Sequence, residues 1–339
     1  MIIVVKKGAS REEVQEIVAK IEASGLKAHV SKGEERTIIG AIGDERKLNV
    51  TQLEALNGVE KVMPIVKPYK VASREFHPED TIIAVEGVKI GGKELAIWGG
   101  PCSVESEEQV FAIAEAVKKA GVKLFRGSVY KPRTSPYDFQ GMGDKGLKIL
   151  KKVKDELGLV IETEVMDIRK VEIAAKYVDI LRVGARNMQN FDLLKEVGKI
   201  NKPVILKNGL SSTIKEFLMS AEYIMSEGNH KVILCERGIR TFETETRFTL
   251  DISAVPVLKS LTHLPIIVDP SHAAGRRDII GALSKAAVAA GADGLLIEVH
   301  NAPEKAMCDG KQSVTTNDFP AMLEGIGKVA EAVGRTMPK

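Results

Sequence analysis

The sequence is short of cysteine, of net charge and of long apolar runs, and each shortage narrows what the chain can be. Its three cysteines, Cys102, Cys235 and Cys308, are odd in number and far apart in 339 residues. That argues against a disulfide framework and predicts a reducing, cytoplasmic compartment. A formal net charge of +3 is too small to mark nucleic acid as the main partner. No apolar run reaches the roughly 18 residues of a membrane span. The N-terminus, MIIVVKKGASREE, lacks the basic-then-apolar layout of a signal peptide. A dinucleotide fingerprint is missing too: after the first long apolar strand of the main domain comes Gly99-Gly100-Pro101-Cys102-Ser103, not GxGxxG. What remains, 44% hydrophobic and 28% charged, is ample for a large buried core.

Residues 1–66 read as a small domain. Ile2–Val5 is an apolar strand, and Ser10-Arg11-Glu12-Glu13 is a capping box that starts a helix with Val14, Ile17, Val18 and Ile21 on one face. Strands follow at 27–30 and 37–42, then a helix from about Arg46 through Leu53 and Leu56, then a strand over 59–66. The order βαββαβ is that of a ferredoxin-like domain. It carries no cluster of catalytic side chains, so it predicts a packing, assembly or ligand-sensing role. The polar stretch 67–80 is expected as a linker, and 81–339 as the main domain, opened by a hairpin at 81–90.

From Leu95 onward the pattern repeats. Short apolar runs begin at Leu95, Val122, Leu159, Asp179, Pro203, Val232, Ile266 and Gly294, with amphipathic helices expected between them at 107–119, 145–157, 168–177, 191–197, 213–226 and 275–290 and a last one over about 318–333. About eight such β–α repeats in roughly 250 residues predict a (β/α)₈ TIM barrel. An open doubly wound sheet fits less well, since it needs fewer strands and a Gly-rich first turn.

In a barrel, function collects where strands end. Those ends present Cys102, Arg126, Glu162, Glu164, Arg182, Arg186, Lys207, Glu236, Arg237, Asp269, His272, Glu298 and His300. The loop after the second strand adds Lys131, Pro132, Arg133, Thr134 and Ser135, its backbone stiffened by Pro132 and Pro136. So many cations at one mouth call for a multi-anion ligand such as a phosphorylated carboxylic acid. A second set, Cys102, His272, Glu298 and Asp309, mixes thiol, imidazole and carboxylates. That suits a divalent transition ion: Mn, Fe, Co or Zn. Each of these residues alone is better explained by ordinary packing or pairing. Together, on the first, seventh and eighth strands of a closed ring, they predict a metal site.

GPCS at 100–103, KPRTS at 131–135, Gly-Ala-Arg at 184–186, Leu-Lys-Asn-Gly at 206–209, Glu-Arg-Gly at 236–238 and Asp-Pro-Ser-His at 269–272 together resemble 3-deoxy-D-arabino-heptulosonate 7-phosphate (DAHP) synthase. The small first domain resembles the regulatory extension of some members. The resemblance implies a transferase that condenses phosphoenolpyruvate with erythrose 4-phosphate, the first step of the shikimate pathway to aromatic amino acids. It implies a divalent metal on Cys102, His272, Glu298 and Asp309. It implies phosphoenolpyruvate on Arg126, Lys131, Arg186, Lys207 and Arg237, and erythrose 4-phosphate on Pro132, Arg133, Thr134 and Ser135. Lys131, Cys102 and His272 would stand nearest the chemistry, Lys131 as proton donor or charge contact. Cys308 departs from the family pattern and puts a second thiol beside Asp309. A homotetramer is implied, with tyrosine or phenylalanine as feedback inhibitor on the first domain and 67–80 as a hinge.

Two rival readings fit the residues less well. The related synthase that takes arabinose 5-phosphate shares the metal and phosphoenolpyruvate positions, but its sugar loop typically differs from KPRTS and it usually lacks the first domain. A catalytically dead barrel that only senses a phosphorylated metabolite would not need all four metal-type side chains.

Overall fold

The computed structural model describes residues 1–33, 36–64 and 68–338 and divides into two compact units, Met1–Pro68 and Tyr69–Lys339. The first unit runs β1 (Ile2–Val5), α1 (Arg11–Ala23), β2 (Lys27–Lys32), β3 (Thr37–Ile42), α2 (Val50–Glu54) and β4 (Val59–Met63). Its antiparallel sheet has the order β2-β3-β1-β4 of a ferredoxin-like domain. Ser10 and Glu13 close the capping box of α1, and Ile17 and Ile21 of that helix pack on Ile3, Val5 and Ile39. The second helix is shorter than its sequence suggests. A 3-10 turn over Glu45–Lys47 ends before Asn49, whose side chain caps α2 by accepting from the Gln52 amide and so restarts the helix there. Of the strand expected over 59–66, residues 65 and 66 lie outside the described residues.

The second unit begins with a hairpin, β5 (Ile83–Val85) and β6 (Val88–Ile90), turned by Glu86 and Gly87, both at positive φ as a tight hairpin turn requires. Eight strands follow: β7 (Ala96–Gly100), β8 (Leu124–Arg126), β9 (Val160–Val165), β10 (Ile180–Val183), β11 (Val204–Lys207), β12 (Val232–Glu236), β13 (Ile266–Val268) and β14 (Gly294–His300). All pair in parallel with their neighbours, and β14 pairs back to β7, so the barrel is closed. A two-residue strand β15 (Val314–Thr315) adds to the end of β14. The helices are α3 (Glu107–Lys119), α4 (Asp144–Leu157), α5 (Ile168–Ala175), α6 (Phe191–Gly198), α7 (Ile214–Ser226), α8 (Ala254–Leu261), α9 (Pro270–Ala274), α10 (Ile280–Ala289) and α11 (Phe319–Ala332).

Two helical details depart from the sequence reading. The helix α8 escapes it because Pro256 interrupts its pattern; a proline in the first turn costs the helix no internal bond. The helix expected over 275–290 starts only at Ile280, after a 3-10 turn over Arg277–Ile279, and before it an unexpected short helix, α9, is ended by left-handed Gly275. His272 thus rides on a short helix of its own.

Much of the stretch 67–80 belongs to the barrel unit. The amides of Val71 and Ala72 both donate to the Glu222 carboxylate at 2.9 Å, and Arg74 Nε donates to the Lys259 carbonyl at 3.0 Å. Tyr69 and Ala72 are buried among the outer core residues. Only residues up to Pro68 fall outside this unit.

Side chains alternate along each strand, and this positions the site. Ile97, Phe125, Ile161, Leu181, Leu206, Leu234 and Leu295 face the helices. Trp98, Leu124, Val160, Ile180, Ile205, Ile267 and Leu296 fill the barrel interior, joined at one end by Ile83 and Ile90 of the hairpin. Two residues beyond six of these inward positions, on the same face, come Arg126, Glu162, Arg182, Lys207, Asp269 and Glu298, while Gly100 follows Trp98. All six are buried. The ring of charge is the next layer of the barrel.

Candidate active site

That layer opens into a cleft of about 720 Å³ lined by seven Lys and Arg side chains against three Asp and Glu, so its field attracts anions. Among the residues expected at the site, Lys131, Pro132, Arg133, Thr134, Arg186, Lys207, Arg237, His272 and Asp309 line it. Cys102, Arg126 and Glu298 lie wholly buried and are not part of the lining. Ser135 is not among the lining residues either; its hydroxyl accepts from the Tyr137 amide at 3.3 Å within its own loop. His300 is engaged elsewhere, by Gln109 at 3.0 Å and by the Ala302 amide at 3.0 Å.

The cations differ in their engagement. Arg186 is exposed on a 3-10 turn, with one long contact of 3.4 Å to Thr134 Oγ1. Two residues earlier, a Cβ at Gly184 would fall 2.1 Å from Glu164 Oε1, so that carboxylate could not keep its place beside a larger residue. Arg133 reaches Cys308 Sγ at 3.0 Å and Asp138 at 3.2 Å. Lys131 is buried and lies 3.0 Å from Cys102 Sγ and 3.2 Å from the Cys102 carbonyl. Burial pulls its pKa down, but the two neighbouring thiols and Glu164 outweigh that, so it remains a cation at neutral pH. Lys207 is bonded to Asp269, and burial lowers its pKa against that pull. Arg237 stacks over the Phe248 ring at 3.9 Å, and burial brings its pKa down to about 10, still protonated at pH 7. Arg182, by contrast, is already paired, with Glu162 at 2.7 Å and Ser128 at 2.6 Å.

At the foot of the cleft, one donor atom from each of Cys102, His272, Glu298 and Asp309 lies within 4.8 Å of all the others. Gly100 lets β7 pass close enough for this: its φ is +149°, and a Cβ would sit 2.0 Å from the Arg126 carbonyl oxygen. Asp269 accepts from the His272 amide at 2.9 Å and faces His272 Nδ1 at 2.7 Å. It therefore turns Nε2 toward Glu298, 3.4 Å away. Burial holds the His272 pKa down to about 4, so the ring is neutral at pH 7, the form in which imidazole binds metal. Burial opposes ionisation of Glu298, but His272 and Arg126 outweigh it, and the carboxylate pKa falls. The Cys102 thiol is pushed well above its ordinary range by the Cys308 thiol, 3.3 Å away, and by burial. An ion binding there would have to displace that proton. Soft and hard donors in one buried cluster, with the imidazole oriented by a carboxylate, fit a divalent transition ion.

Several participants were not foreseen from sequence. Asp269 was placed at the mouth, but not its hold on both Lys207 and His272. Arg247 and Gln312 gave no signal at all, because both sit in irregular segments where periodicity says nothing. Gln312 donates to Glu298 Oε2 at 2.7 Å, and Arg247 lies 3.3 Å from Asp309.

Residues 75–334 match the DAHP synthetase I family, and residues 1–67 match the DAHP synthase ferredoxin-like domain. The chain belongs to the DAHP synthetase I family. It is 52% identical over 334 residues to phospho-2-dehydro-3-deoxyheptonate aldolase of Thermotoga maritima, covering 98% of this chain and 99% of that protein. The crystal structure of a DAHP synthase from T. maritima superposes with a TM-score of 0.96 at 51% identity, covering 99% of this chain and 98% of that one. A 2-dehydro-3-deoxyphosphooctonate aldolase of Geobacter sulfurreducens is 36% identical over 270 residues, covering 74% of this chain and 98% of that protein. The activity is thus that of a DAHP synthase, a transferase at the first step of the shikimate pathway, on a TIM barrel with a ferredoxin-like domain. Among the described residues, no helix is long and apolar enough to cross a membrane.

Proposed function

We propose that the cleft condenses phosphoenolpyruvate with erythrose 4-phosphate in a metal-dependent reaction that gives DAHP and phosphate. The observation that carries this is the cluster of Cys102, His272, Glu298 and Asp309 donor atoms at the foot of a cleft rich in cations, with the KPRTS loop on its wall. Those four residues would hold the ion, which when bound supplies Lewis acidity toward the aldehyde oxygen. Lys131, Arg186, Lys207 and Arg237, with Arg126 beneath them, hold the phosphate and carboxylate of phosphoenolpyruvate. Arg133, with Pro132, Thr134 and Ser135, holds the phosphate of the sugar. With both substrates fixed, C3 of phosphoenolpyruvate attacks the aldehyde carbon, water adds at C2, and phosphate leaves by C–O cleavage. The surrounding cations stabilise the oxygens throughout, so positioning and electrostatics supply most of the rate.

The first unit is proposed to regulate, taking tyrosine or phenylalanine, and the enzyme to act as a cytoplasmic homotetramer. The match of residues 1–67 to the DAHP synthase ferredoxin-like domain supports the first point.

The test is phosphate release from phosphoenolpyruvate with erythrose 4-phosphate or arabinose 5-phosphate, before and after chelation and on return of Mn²⁺. Turnover with erythrose 4-phosphate alone, lost on chelation and restored by metal, is expected. Turnover only with arabinose 5-phosphate would overturn the substrate assignment. Full activity in a metal-free preparation would overturn the metal.

A further inference from the structure

We propose that Gln312 and Arg247 form a brace that orients the Glu298 and Asp309 carboxylates for the metal ion, which makes both of them positioning residues. The inference rests on the metal reading above and concerns residues that lie outside the donor set.

Gln312 is 2% exposed and both ends of its amide are committed. Its Nε2 donates to Glu298 Oε2 at 2.7 Å, while its Oε1 accepts from an Arg247 guanidinium nitrogen at 2.8 Å. The same nitrogen lies 3.3 Å from Asp309 Oδ2. One path, Glu298–Gln312–Arg247–Asp309, therefore joins the two carboxylates. The other Glu298 oxygen faces Arg126 at 2.6 Å and His272 at 3.4 Å, so the amide fixes the carboxylate plane without adding charge to the donor.

Arg247 acts as the latch. A buried amide can sit in either of two flipped orientations. With the guanidinium on one side and a carboxylate on the other, only one flip is favourable; the reverse would set oxygen against carboxylate and NH₂ against cation. The latch itself is anchored. The amides of Arg247 and Phe248 donate to the Ala274 and Ala273 carbonyls at 3.0 and 2.9 Å, on the helix that carries His272. Gln312 and Asp309 belong to one tight turn, in which the Gln312 amide donates to the Asp309 carbonyl at 3.1 Å and Asp309 takes a left-handed φ of 53°. Two of the four donors, Glu298 and Asp309, are thus tied to one pair of side chains, and the short helix that bears a third, His272, is bonded to the backbone of the segment that carries Arg247.

The experiment uses the full chain stripped of metal and titrated with Co²⁺ alone, read by calorimetry and by the thiolate-to-cobalt charge-transfer band. Gln312→Met keeps length and removes both hydrogen bonds. It is expected to weaken Co²⁺ binding about 10- to 100-fold, the usual effect of losing a partner outside the donor set. A role in folding alone would shift the melting point of the metal-free protein and leave the affinity of the folded protein untouched. Affinity within about twofold of wild type would overturn the brace. Should Gln312→Met fail to fold, Arg247→Ala, at a partly exposed position, decides: about tenfold weaker Co²⁺ binding supports the proposal and unchanged binding overturns it. A wild-type chain that takes up no Co²⁺ would overturn the metal reading itself, and the brace with it.

Discussion

The guanidinium of Arg126 meets the Glu298 carboxylate at 2.6 Å with both side chains wholly shut off from solvent. They stand on β8 and β14, on opposite sides of β7, and the same guanidinium donates to the Cys102 carbonyl at 3.2 Å. Breaking such a pair from one side strands a buried charge. Arg126→Met is therefore expected to cost about 3–5 kcal/mol of unfolding free energy in urea titrations. Adding Glu298→Gln to it should return part of that loss. A single variant as stable as wild type would show that the pair is not held this way.

A second buried carboxylate sets a pH dependence. Burial raises the Glu236 pKa from 4.5 to about 7, even though the Gly238 and Asp251 amides donate to it. Between those two values the unfolded chain has released the proton that the native protein keeps. Stability is therefore lost as pH rises through this window, by roughly 3 kcal/mol in all for this group. Glu236→Gln cannot ionise, so the variant should gain on wild type by about that amount between about pH 4 and pH 8 in paired urea titrations. A constant difference would mean that Glu236 is charged in both states.

What could be seen in advance follows from the metre of the chain. Runs such as 232–235 and 266–268 are buried on both faces and unbroken by polar residues, so strand and barrel were legible from them. Of the candidate donors, Cys102, His272 and Glu298 were legible as types at strand ends. Asp309 was the least obvious, because its left-handed turn in MCDGKQS has no period, and Gln312 in that turn was missed for the same reason. The helix at 254–261 was hidden by Pro256, and the five-residue helix that carries His272 was too short to show a period.

Arg133 is expected to serve the sugar phosphate. It lines the cleft, reaches Cys308 at 3.0 Å and, among the described residues, is otherwise tied to Asp138 at the surface. Charge-assisted bonds are worth about 1.5–3 kcal/mol, so Arg133→Ala should raise the KM for erythrose 4-phosphate roughly 10- to 100-fold. The KM for phosphoenolpyruvate should stay within a small factor. Steady-state kinetics with each substrate varied in turn would reverse the assignment if only the phosphoenolpyruvate term moved.

A chain that starts at Tyr69 should still turn over and no longer respond to tyrosine or phenylalanine. The barrel unit begins there, with Tyr69 and Ala72 already in its core, and a truncated T. maritima DAHP synthase aligns with 79% of this chain. Coupling of about 1–3 kcal/mol predicts inhibition in the full chain of roughly 5- to 150-fold in apparent affinity. A truncated enzyme as sensitive as the full one would place the effector on the barrel.

Because inward and outward positions alternate on the same eight strands, the site is intolerant of a particular kind of genetic change. Loss or gain of one codon within β8 would carry Phe125 into the cleft and swing Arg126 out among the helices, and the same slip in β11 or β14 would trade Lys207 or Glu298 for an aliphatic neighbour. Loops on the rim can lengthen or shorten without that consequence. Variation among natural sequences of this lineage should accordingly be free in connector length and frozen, to the residue, in strand length.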